Sequence, residues 1–172
     1  MTAPPFQSDT YTLIAAAPGR PEIGLAPVVE SEVVPLARQL ATMDPWARLG
    51  VDAARFEAGL RARGGAAHRF ALTKGPACIG FVVVRYPWLI GPYLNTLAVL
   101  PAHQGGGIGA AVLAWLETEA RKAEARSTWL CVSAFNERAI AFYTRHGYTR
   151  VAVLDDLLVE GEDEILMRRK LA

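Results

Sequence analysis

The stretch LNTLAVLPAHQGGGIGAAVLAWLETEA, Leu94–Ala120, contains a predicted β-strand, a short connection, a glycine-rich turn and a helix. The helix is predicted because Ile108, Val112 and Leu116 recur at helical spacing and make one side of it apolar. Four glycines stand at its entrance: Gly105, Gly106, Gly107 and Gly109. The first N–H groups of a helix have no intrahelical partner and lie at the positive end of its dipole, so backbone without side chains can bind an anion there. We therefore predict a phosphate-binding turn rather than a tight turn alone.

Two familiar phosphate-binding loops fit this turn poorly. A nucleoside-triphosphate loop ends in Gly-Lys-Ser/Thr, whereas Ile108–Ala110 contains neither a lysine nor a hydroxyl group. The dinucleotide fingerprint does match at Gly105, Gly107 and Ala110. However, residues 101–104 separate these positions from the preceding strand, and the next strand does not end in an acidic residue that could bind a ribose. A dinucleotide-binding oxidoreductase is therefore the less favoured alternative.

A third pattern, Gln/Arg-x-x-Gly-x-Gly/Ala, is matched at every fixed position by Gln104–Gly109. In this stretch the chain resembles the GNAT superfamily of acyl-CoA-dependent N-acetyltransferases. Leu97–Val99 is similar to the cofactor strand of that family, and Asn136–Tyr148 is similar to its later N-x-x-A…(F/Y)-Y…G-(F/Y) signature. The order and spacing of the two blocks also agree, and together they cover about the C-terminal half of the chain.

The resemblance implies that the cofactor is acetyl-CoA and that its pantetheine arm enters beside the strand before the glycine turn. Backbone groups of Leu97 and Val99 would pair with the pantetheine amides, and main-chain N–H groups of Gln104–Ala110 would hold the pyrophosphate. Tyr143 would be the general acid that protonates the leaving thiolate, and Asn136 would cap its helix and contact the cofactor. The complete set of implied cofactor-binding residues is Leu97, Ala98, Val99, Gln104, Gly105, Gly106, Gly107, Ile108, Gly109, Ala110 and Asn136.

The general base is the point at which this sequence departs from the resemblance. Ribosomal-protein alanine acetyltransferases carry a glutamate in a Leu-Glu-Val segment after the turn, and Cys131 stands in its place here. A nucleophilic role for Cys131 is disfavoured, because its neighbours Leu130 and Val132 offer nothing that would lower a thiol pKa. The remaining acids expected near the cleft are Asp44, Asp155, Asp156 and Glu164, and the sequence singles out none of them as the base.

Periodicity along the chain predicts an α/β fold. Two early helices, 31–43 and 52–63, come first, with Ser31 as the first cap, and an antiparallel meander and a β-α-β-α-β-β order follow. This order predicts a mixed, mostly antiparallel twisted sheet of about six to seven strands with helices on both faces. The resemblance implies that this is the GNAT fold with splayed central strands. Residues 1–21 are expected to form an N-terminal tail, loosely docked at its start and with a candidate extra strand, and residues 22–172 a single N-acetyltransferase domain.

Composition narrows the classes of partner. The formal net charge of +1 provides no general attraction to nucleic acid. The two cysteines, Cys78 and Cys131, lie in apolar runs and form no C-x-x-C pair, which predicts reduced thiols in the core. The N-terminus lacks the features of a signal peptide, and no apolar run approaches the ~20 residues needed to cross a bilayer. We expect a cytoplasmic protein with neither a nucleic-acid nor a membrane partner.

The sequence thus predicts an acetyl-CoA-dependent N-acetyltransferase that moves an acetyl group to a primary amine by direct attack in a ternary complex. The acceptor would be a small-molecule or peptide amine in a pocket shaped by Asp44 and Trp46, and a homodimer is a candidate assembly. No metal is expected, because His103 and His146 lack partners at ligand spacing. The alternative is a non-catalytic acyl-CoA-binding module, which would explain the missing glutamate.

Overall fold

The computed structural model describes residues 4–171. Its helices and strands are β1 Tyr11–Ile14, β2 Ile23–Ala26, α1 Glu30–Ala41, α2 Ala53–Arg61, β3 Ala67–Lys74, β4 Ala77–Trp88, β5 Gly91–Val99, α3 Ile108–Lys122, β6 Ser127–Ser133, α4 Glu137–Arg145, β7 Thr149–Val159 and β8 Glu162–Lys170. A 3₁₀ turn, Pro101–His103, lies between β5 and α3. Within residues 4–171, no helix is both long enough and apolar enough to span a lipid bilayer.

The strands of the described chain form one eight-stranded sheet in the order β1-β2-β3-β4-β5-β6-β8-β7. Neighbouring strands run antiparallel except β5 and β6, which run parallel. This confirms the predicted mixed, mostly antiparallel α/β sheet, although the predicted number of about six to seven strands is slightly low. The difference arises at the N-terminal edge, where the short strand β1 also joins the sheet through the pair Tyr11↔Leu25.

Alternation of side chains along β4 builds an apolar core on each face of the sheet. Phe81 and Val83 point to one face, where they pack with the buried side chains of α1 and α2. Val82 and Val84 point to the other face and pack with those of α3 and α4. Successive side chains of a strand lie on opposite faces, so the continuous apolar run of β4 is buried on both. The helices predicted on both faces of the sheet are confirmed.

Strands β5 and β6 separate after a short paired stretch. Among the described residues their parallel pairing joins Tyr93 to Trp129 and Leu94 to Leu130, and it ends there. The register of β5 against β4 shifts at Asn95, which is therefore a β-bulge. Because a bulge bends its strand and increases the local twist, the remainder of β5 turns away from β6. The splayed central strands implied by the resemblance are confirmed.

The N-terminal segment is held against the sheet. The side chain of Phe6 is only 2% exposed, and the Phe6 N–H donates a 2.7 Å hydrogen bond to Glu119 Oε2 on α3. Burying an aromatic side chain of this size contributes about 1.5–3 kcal/mol to stability. The expectation of a loosely docked start is thus wrong at Phe6, and residues 1–3, to which it also applied, lie outside the described residues.

One predicted helix cap is wrong. Helix α1 begins at Glu30, and Val29 occupies the cap position without a side-chain hydrogen bond, so Ser31 lies inside the first turn. The acidic side chains of Glu30 and Glu32 stand in that first turn, where they interact favourably with the positive end of the helix dipole. A helix start can therefore be stabilised here by charge rather than by a hydroxyl cap.

Candidate active site

The gap between β5 and β6 opens into a cavity of about 590 Å³. This volume lies within the range of small-molecule binding sites in proteins, about 300–1,000 Å³. Its walls are formed by the connection between α1 and α2, strands β3 to β6, helix α4, the end of β7 and the start of β8. Several of the predicted site residues line it: Leu97, Ala98, Val99, Gln104, Asn136 and Tyr143. The structure therefore brings together residues from three separate parts of the predicted site.

The backbone of β5 presents alternate residues to the gap. The Leu100 N–H donates to the Ile79 carbonyl at 2.8 Å, and the Ala98 carbonyl points at Gly80, so these two residues of the β5 segment face β4. In a strand, alternate residues direct their backbone groups to opposite sides. The backbone groups of Leu97 and Val99 therefore face the gap, whereas Ala98 contributes to the β4 ladder and buries its side chain in the core below α1 and α2.

Gln104 ties the glycine turn to the end of β5. Its side-chain Nε2 donates a hydrogen bond of 2.9 Å to the Val99 carbonyl. The turn itself needs glycine at two positions, because Gly105 has φ 84° and Gly107 has φ 74°, a left-handed conformation that other residues rarely adopt. Gly107 is also the N-cap of α3, and no side chain caps that helix. The first amides of α3 are thus left without a side-chain cap. Gln104 lines the cavity, whereas the predicted residues 105–110 do not.

Gly109 has a structural role that the sequence pattern did not reveal. A Cβ atom at this position would lie 2.9 Å from Cζ of Phe142, so the missing side chain is what allows α3 and α4 to pack closely. Its neighbour Ile108 is 6% exposed and belongs to the core on the same face. The last part of the predicted pyrophosphate turn therefore also holds the helix that carries Tyr143.

Helix α4 positions the predicted general acid. Asn136 caps this helix, as predicted, because its Oδ1 accepts a 3.1 Å hydrogen bond from the Ala139 N–H. Asn136, Ala139 and Tyr143 then line the cavity along one side of α4. Burial, with a smaller contribution from Tyr148, raises the pKa of Tyr143 well above its usual range. The phenol therefore keeps its proton throughout the physiological pH range.

The four acidic residues that remained candidates for the general base differ in their burial and in whether they line the cavity. Asp155 and Asp156 are exposed on β7 and do not line the cavity. Asp44 lines the cavity but is exposed to solvent. Glu164 lines it and is only 4% exposed. Burial raises the pKa of Glu164, and a hydrogen bond from Ser133 opposes that effect. Sequence reasoning could not single out this glutamate, because its burial depends on how β8 pairs with β6.

Cys131 and Tyr93 lie side by side in the wall of the cavity. Both line it, and the Tyr93 hydroxyl is close to the Cys131 thiol. Burial raises the pKa of both groups, so the cysteine remains a thiol and the tyrosine a phenol. A buried thiol with a raised pKa is a poor nucleophile, which supports the packing role expected for Cys131.

The connection between α1 and α2 lies over the opposite wall. Asp44 and Trp46 line the cavity there, and the Trp46 ring packs edge-on against Phe56 with centroids 5.5 Å apart. Arg48 in the same connection forms an ion pair of 2.9 Å with Glu162 at the start of β8. This contact links the connection to the terminal hairpin across the cavity.

Three arginines line the cavity on the α1–α2 side of the sheet: Arg55, Arg69 and Arg85. None of them forms an ion pair within the described residues. Arg85 donates instead to Asn95 Oδ1 at 3.0 Å, and Arg69 donates to the Ala67 carbonyl at 3.0 Å. Burial lowers the pKa of Arg69, and the nearby charges of Arg85 and Arg63 lower it further. This wall therefore carries three arginines that form no ion pair with a described carboxylate.

Comparison with known proteins gives consistent results for sequence and structure. Residues 34–148 match the sequence model of the acetyltransferase (GNAT) family. A 55-residue stretch is 44% identical to the aminoalkylphosphonate N-acetyltransferase of Salmonella typhimurium, and it covers 32% of this chain and 36% of that protein. The chain thus spans only about a third of the length of this curated relative.

Solved structures show the same fold. The ribosomal-protein-S18-alanine N-acetyltransferase from Escherichia coli aligns over 87% of this chain and 94% of its own, with a TM-score of 0.66 and 22% identity. A GNAT family acetyltransferase from Elizabethkingia anophelis with acetyl-CoA bound aligns over 62% of this chain and 77% of its own, with a TM-score of 0.56 and 18% identity.

Proposed function

Because the chain belongs to the acetyltransferase (GNAT) family, we propose that it is an N-acetyltransferase that transfers the acetyl group of acetyl-CoA to a primary amine. The observation that carries this proposal is the splay of β5 from β6, which leaves the backbone of Leu97 and Val99 facing a cavity that Tyr143 also lines. The proposed reaction is a direct attack of the amine on the thioester in a ternary complex. This reaction requires one set of residues that binds acetyl-CoA and another that binds the acceptor amine.

Two features of the gap and the glycine turn support acetyl-CoA as the acetyl donor. The pantetheine amides are hydrogen-bonding groups that could pair, as a further strand, with backbone groups of Leu97 and Val99 that face the gap. The Val99 carbonyl already accepts a hydrogen bond from Gln104 Nε2, so the Val99 N–H is the group open to the ligand there. The uncapped first turn of α3, preceded by Gly105–Gly107, supplies N–H groups and a positive dipole for the pyrophosphate. A structure of the same fold contains acetyl-CoA. In this arrangement acetyl-CoA is a substrate, and Gln104 would hold the turn in place beside it.

We assign the catalytic steps to groups around the gap. Backbone N–H groups of β5 that face the gap would polarise the thioester carbonyl and stabilise the negative charge that develops on its oxygen. Tyr143, which keeps its proton, would donate it to the leaving thiolate. Both contributions depend on positioning, because the amine and the thioester must meet at van der Waals contact.

We further propose that the acceptor is an amine that also bears an anionic group. Arg55, Arg69 and Arg85 line the cavity without a carboxylate partner among the described residues, so their wall attracts an anion. Guanidinium groups bind phosphonate, phosphate and carboxylate groups through paired N–H donors. The relative from Salmonella typhimurium is named for aminoalkylphosphonates, which combine the two groups. A peptide amine is the second candidate, since a structural neighbour acts on a ribosomal protein.

The cellular setting and the assembly are also proposals. A cytoplasmic location is supported by two free cysteines, Cys78 and Cys131, which a reducing compartment would preserve. For the homodimer, the supporting observation is the set of exposed apolar side chains on the edge strand β7, such as Val151 and Val153. Sedimentation velocity at several concentrations measures the assembly directly, and a sedimentation coefficient of a monomer at every concentration would exclude the dimer.

The function is tested by binding and turnover together. Calorimetric titration with acetyl-CoA is expected to give micromolar binding, with NAD run alongside as the competing ligand of the dinucleotide alternative. Thiol release is then measured with 2-aminoethylphosphonate and with an alanine-terminated peptide as probe acceptors. Turnover with either amine supports the proposed N-acetyltransferase activity. Binding of acetyl-CoA without turnover supports the alternative of a non-catalytic acyl-CoA-binding module. Binding of NAD alone would show that the glycine turn serves a dinucleotide.

A further inference from the structure

We propose that Glu164 is the general base of the transfer and replaces, from the neighbouring strand β8, the glutamate that the resemblance implies at position 131. The inference rests on the proposed function, since a base is needed only if an amine attacks the thioester. An amine attacks in its neutral form, whereas a primary amine is mostly an ammonium ion at pH 7. A group at the gap must therefore accept its proton.

The register of β6 and β8 places the carboxylate of Glu164 close to position 131, where the resemblance implies the base. Cys131 and Ser133 are two residues apart on β6, so their side chains share the face that lines the cavity. Glu164 lies directly opposite Ser133 on β8, and Leu166 lies opposite Cys131. Side chains directly opposite on antiparallel strands are about 5 Å apart at Cβ, and diagonal neighbours are about 7–8 Å apart. The diagonal from Cys131 to Glu164 is within the reach of a glutamate side chain.

The surroundings of Glu164 lower the stability of the folded protein when its carboxylate is charged, which suggests that the residue has a function. Its side chain is only 4% exposed, and it forms no ion pair within the described residues. Its one described side-chain partner is Ser133, whose Oγ donates to Glu164 Oε1 at 2.5 Å. Burying a carboxylate without a cation costs stability, and a polar cavity wall that keeps such a group is a candidate functional site.

Among the titratable groups in this part of the cavity wall, Glu164 is the one that can accept a proton. The titratable groups that face it are the Tyr93 hydroxyl from β5 and the Cys131 thiol from β6, and burial keeps both protonated. On β8 itself, Glu162 lies two residues away and is paired with Arg48. Burial raises the pKa of Glu164, which makes this carboxylate a stronger base than an exposed glutamate.

The proton balance of the reaction is complete with two residues. The Glu164 carboxylate takes one proton from the ammonium, and the free amine nitrogen forms a bond to the thioester carbonyl carbon. The C–S bond then breaks, Tyr143 gives its proton to the thiolate, and the second proton of the nitrogen replaces the one that Tyr143 lost. The products are the amide and the coenzyme A thiol, and Glu164 releases its proton to solvent.

The test compares Glu164→Gln with the wild-type protein, using Asp155→Asn as the matched control on the exposed strand β7. With 2-aminoethylphosphonate or the alanine-terminated peptide, Glu164→Gln is expected to lower kcat at pH 7 by at least about 100-fold, a typical contribution of a general base. The dissociation constant of acetyl-CoA should be the same in Glu164→Gln as in the wild type. The control variant Asp155→Asn should keep the wild-type kcat. The rate of Glu164→Gln should recover as the pH rises toward the pKa of the amine, because neutral amine is then already present. A purely structural role of Glu164 would not produce that recovery.

A second variant returns the carboxylate to β6. Cys131→Glu, introduced into Glu164→Gln, is expected to restore at least about a tenth of the lost rate, because the diagonal places the new carboxylate at the same gap. Equal turnover of Glu164→Gln and wild type would overturn the assignment while leaving the N-acetyltransferase intact. Absence of turnover by the wild type with both probe amines would instead overturn the proposed function itself. If Glu164→Gln does not fold, the pKa of Glu164 measured by carbon NMR in the wild type decides, and a value at or below about 4.3, the ordinary glutamate value, contradicts the role.

Discussion

Ser133 and Glu164 face each other across β6 and β8, and Ser133 Oγ donates a hydrogen bond of 2.5 Å to Glu164 Oε1. This bond stabilises the charged carboxylate and so lowers the pKa of Glu164, against the larger effect of burial. The two residues together determine the pH below which the proposed base is lost.

Ser133→Ala is therefore expected to move the acid limb of the pH profile of kcat/KM to higher pH. Without the hydroxyl donor the charged form of Glu164 loses its hydrogen bond, its pKa rises further, and a larger fraction of the protein is protonated at a given pH. The acid limb of kcat/KM reports the base of the free enzyme. Ser127→Ala, at the other end of β6, is the matched control and should leave the limb in place. An unshifted limb in Ser133→Ala would disconnect this pair from the pH dependence.

Glu164→Gln is expected to be more stable than the wild type at pH 8. Burial raises the pKa of Glu164 above its unfolded value, so the native state binds this proton more tightly and loses stability as the pH rises through the folded pKa. The neutral amide avoids that loss, and the difference in Tm should shrink at pH 4, where the wild-type carboxyl is protonated. Differential scanning calorimetry at the two pH values measures it. A lower Tm of the variant at pH 8 would mean that the ionised carboxylate contributes to stability.

Tyr143→Phe is expected to lower kcat for acetyl transfer by at least about tenfold, the lower end of what a general acid contributes. The acetyl-CoA dissociation constant should stay nearly unchanged, because the ring keeps its packing against the core. The matched control is Tyr86→Phe, which removes a hydroxyl from a ring that packs against Phe6 outside the cavity. Turnover equal to that of the wild type would remove Tyr143 from the mechanism.

Gly106→Val tests the anion site without straining the fold. A Cβ at Gly106 meets no atom within 4 Å, and its φ lies outside the left-handed region, so the variant should keep its Tm. Its side chain would obstruct the approach of the pyrophosphate, and we expect the acetyl-CoA dissociation constant to rise at least about tenfold, or roughly 1.4 kcal/mol. Gly107→Val should abolish binding and also lower the Tm, because φ is 74° there. Unchanged affinity in Gly106→Val would place the pyrophosphate elsewhere.

Arg69→Gln distinguishes an anionic acceptor from a neutral one. Hydrogen bonds to charged groups contribute about 1.5–3 kcal/mol, so the KM for 2-aminoethylphosphonate should rise by about tenfold or more. The KM for 2-aminoethanol, which has the same amine and no anion, should not change. Arg20→Gln, on the turn after β1 and outside the cavity, is the control. A parallel change for both amines would assign Arg69 to the shape of the cavity rather than to anion binding.

Much of the fold and half of the candidate site could be predicted from the sequence, because they depend on local patterns. The periodicity of Ile108, Val112 and Leu116 indicates a helix wherever it lies in the molecule, and that helix is observed at Ile108–Lys122. The glycine turn and the Asn136 cap are equally local, since each depends on backbone within a few residues. The one cap predicted wrongly, Ser31, concerns a helix start where several neighbouring residues can serve.

Only the tertiary structure decided which distant residues share the cavity. Ser133 and Glu164 are 31 positions apart, and a shift of one residue in the pairing of β8 would turn Glu164 to the opposite face of the sheet. Likewise, the contact between Gly109 and Phe142 and the bulge at Asn95 depend on how neighbouring elements pack. Sequence by itself therefore determined the order of the elements and the position of the glycine turn, because both depend on local patterns. The proposed base and the positive wall depend on strand register, and register is a property of the assembled sheet.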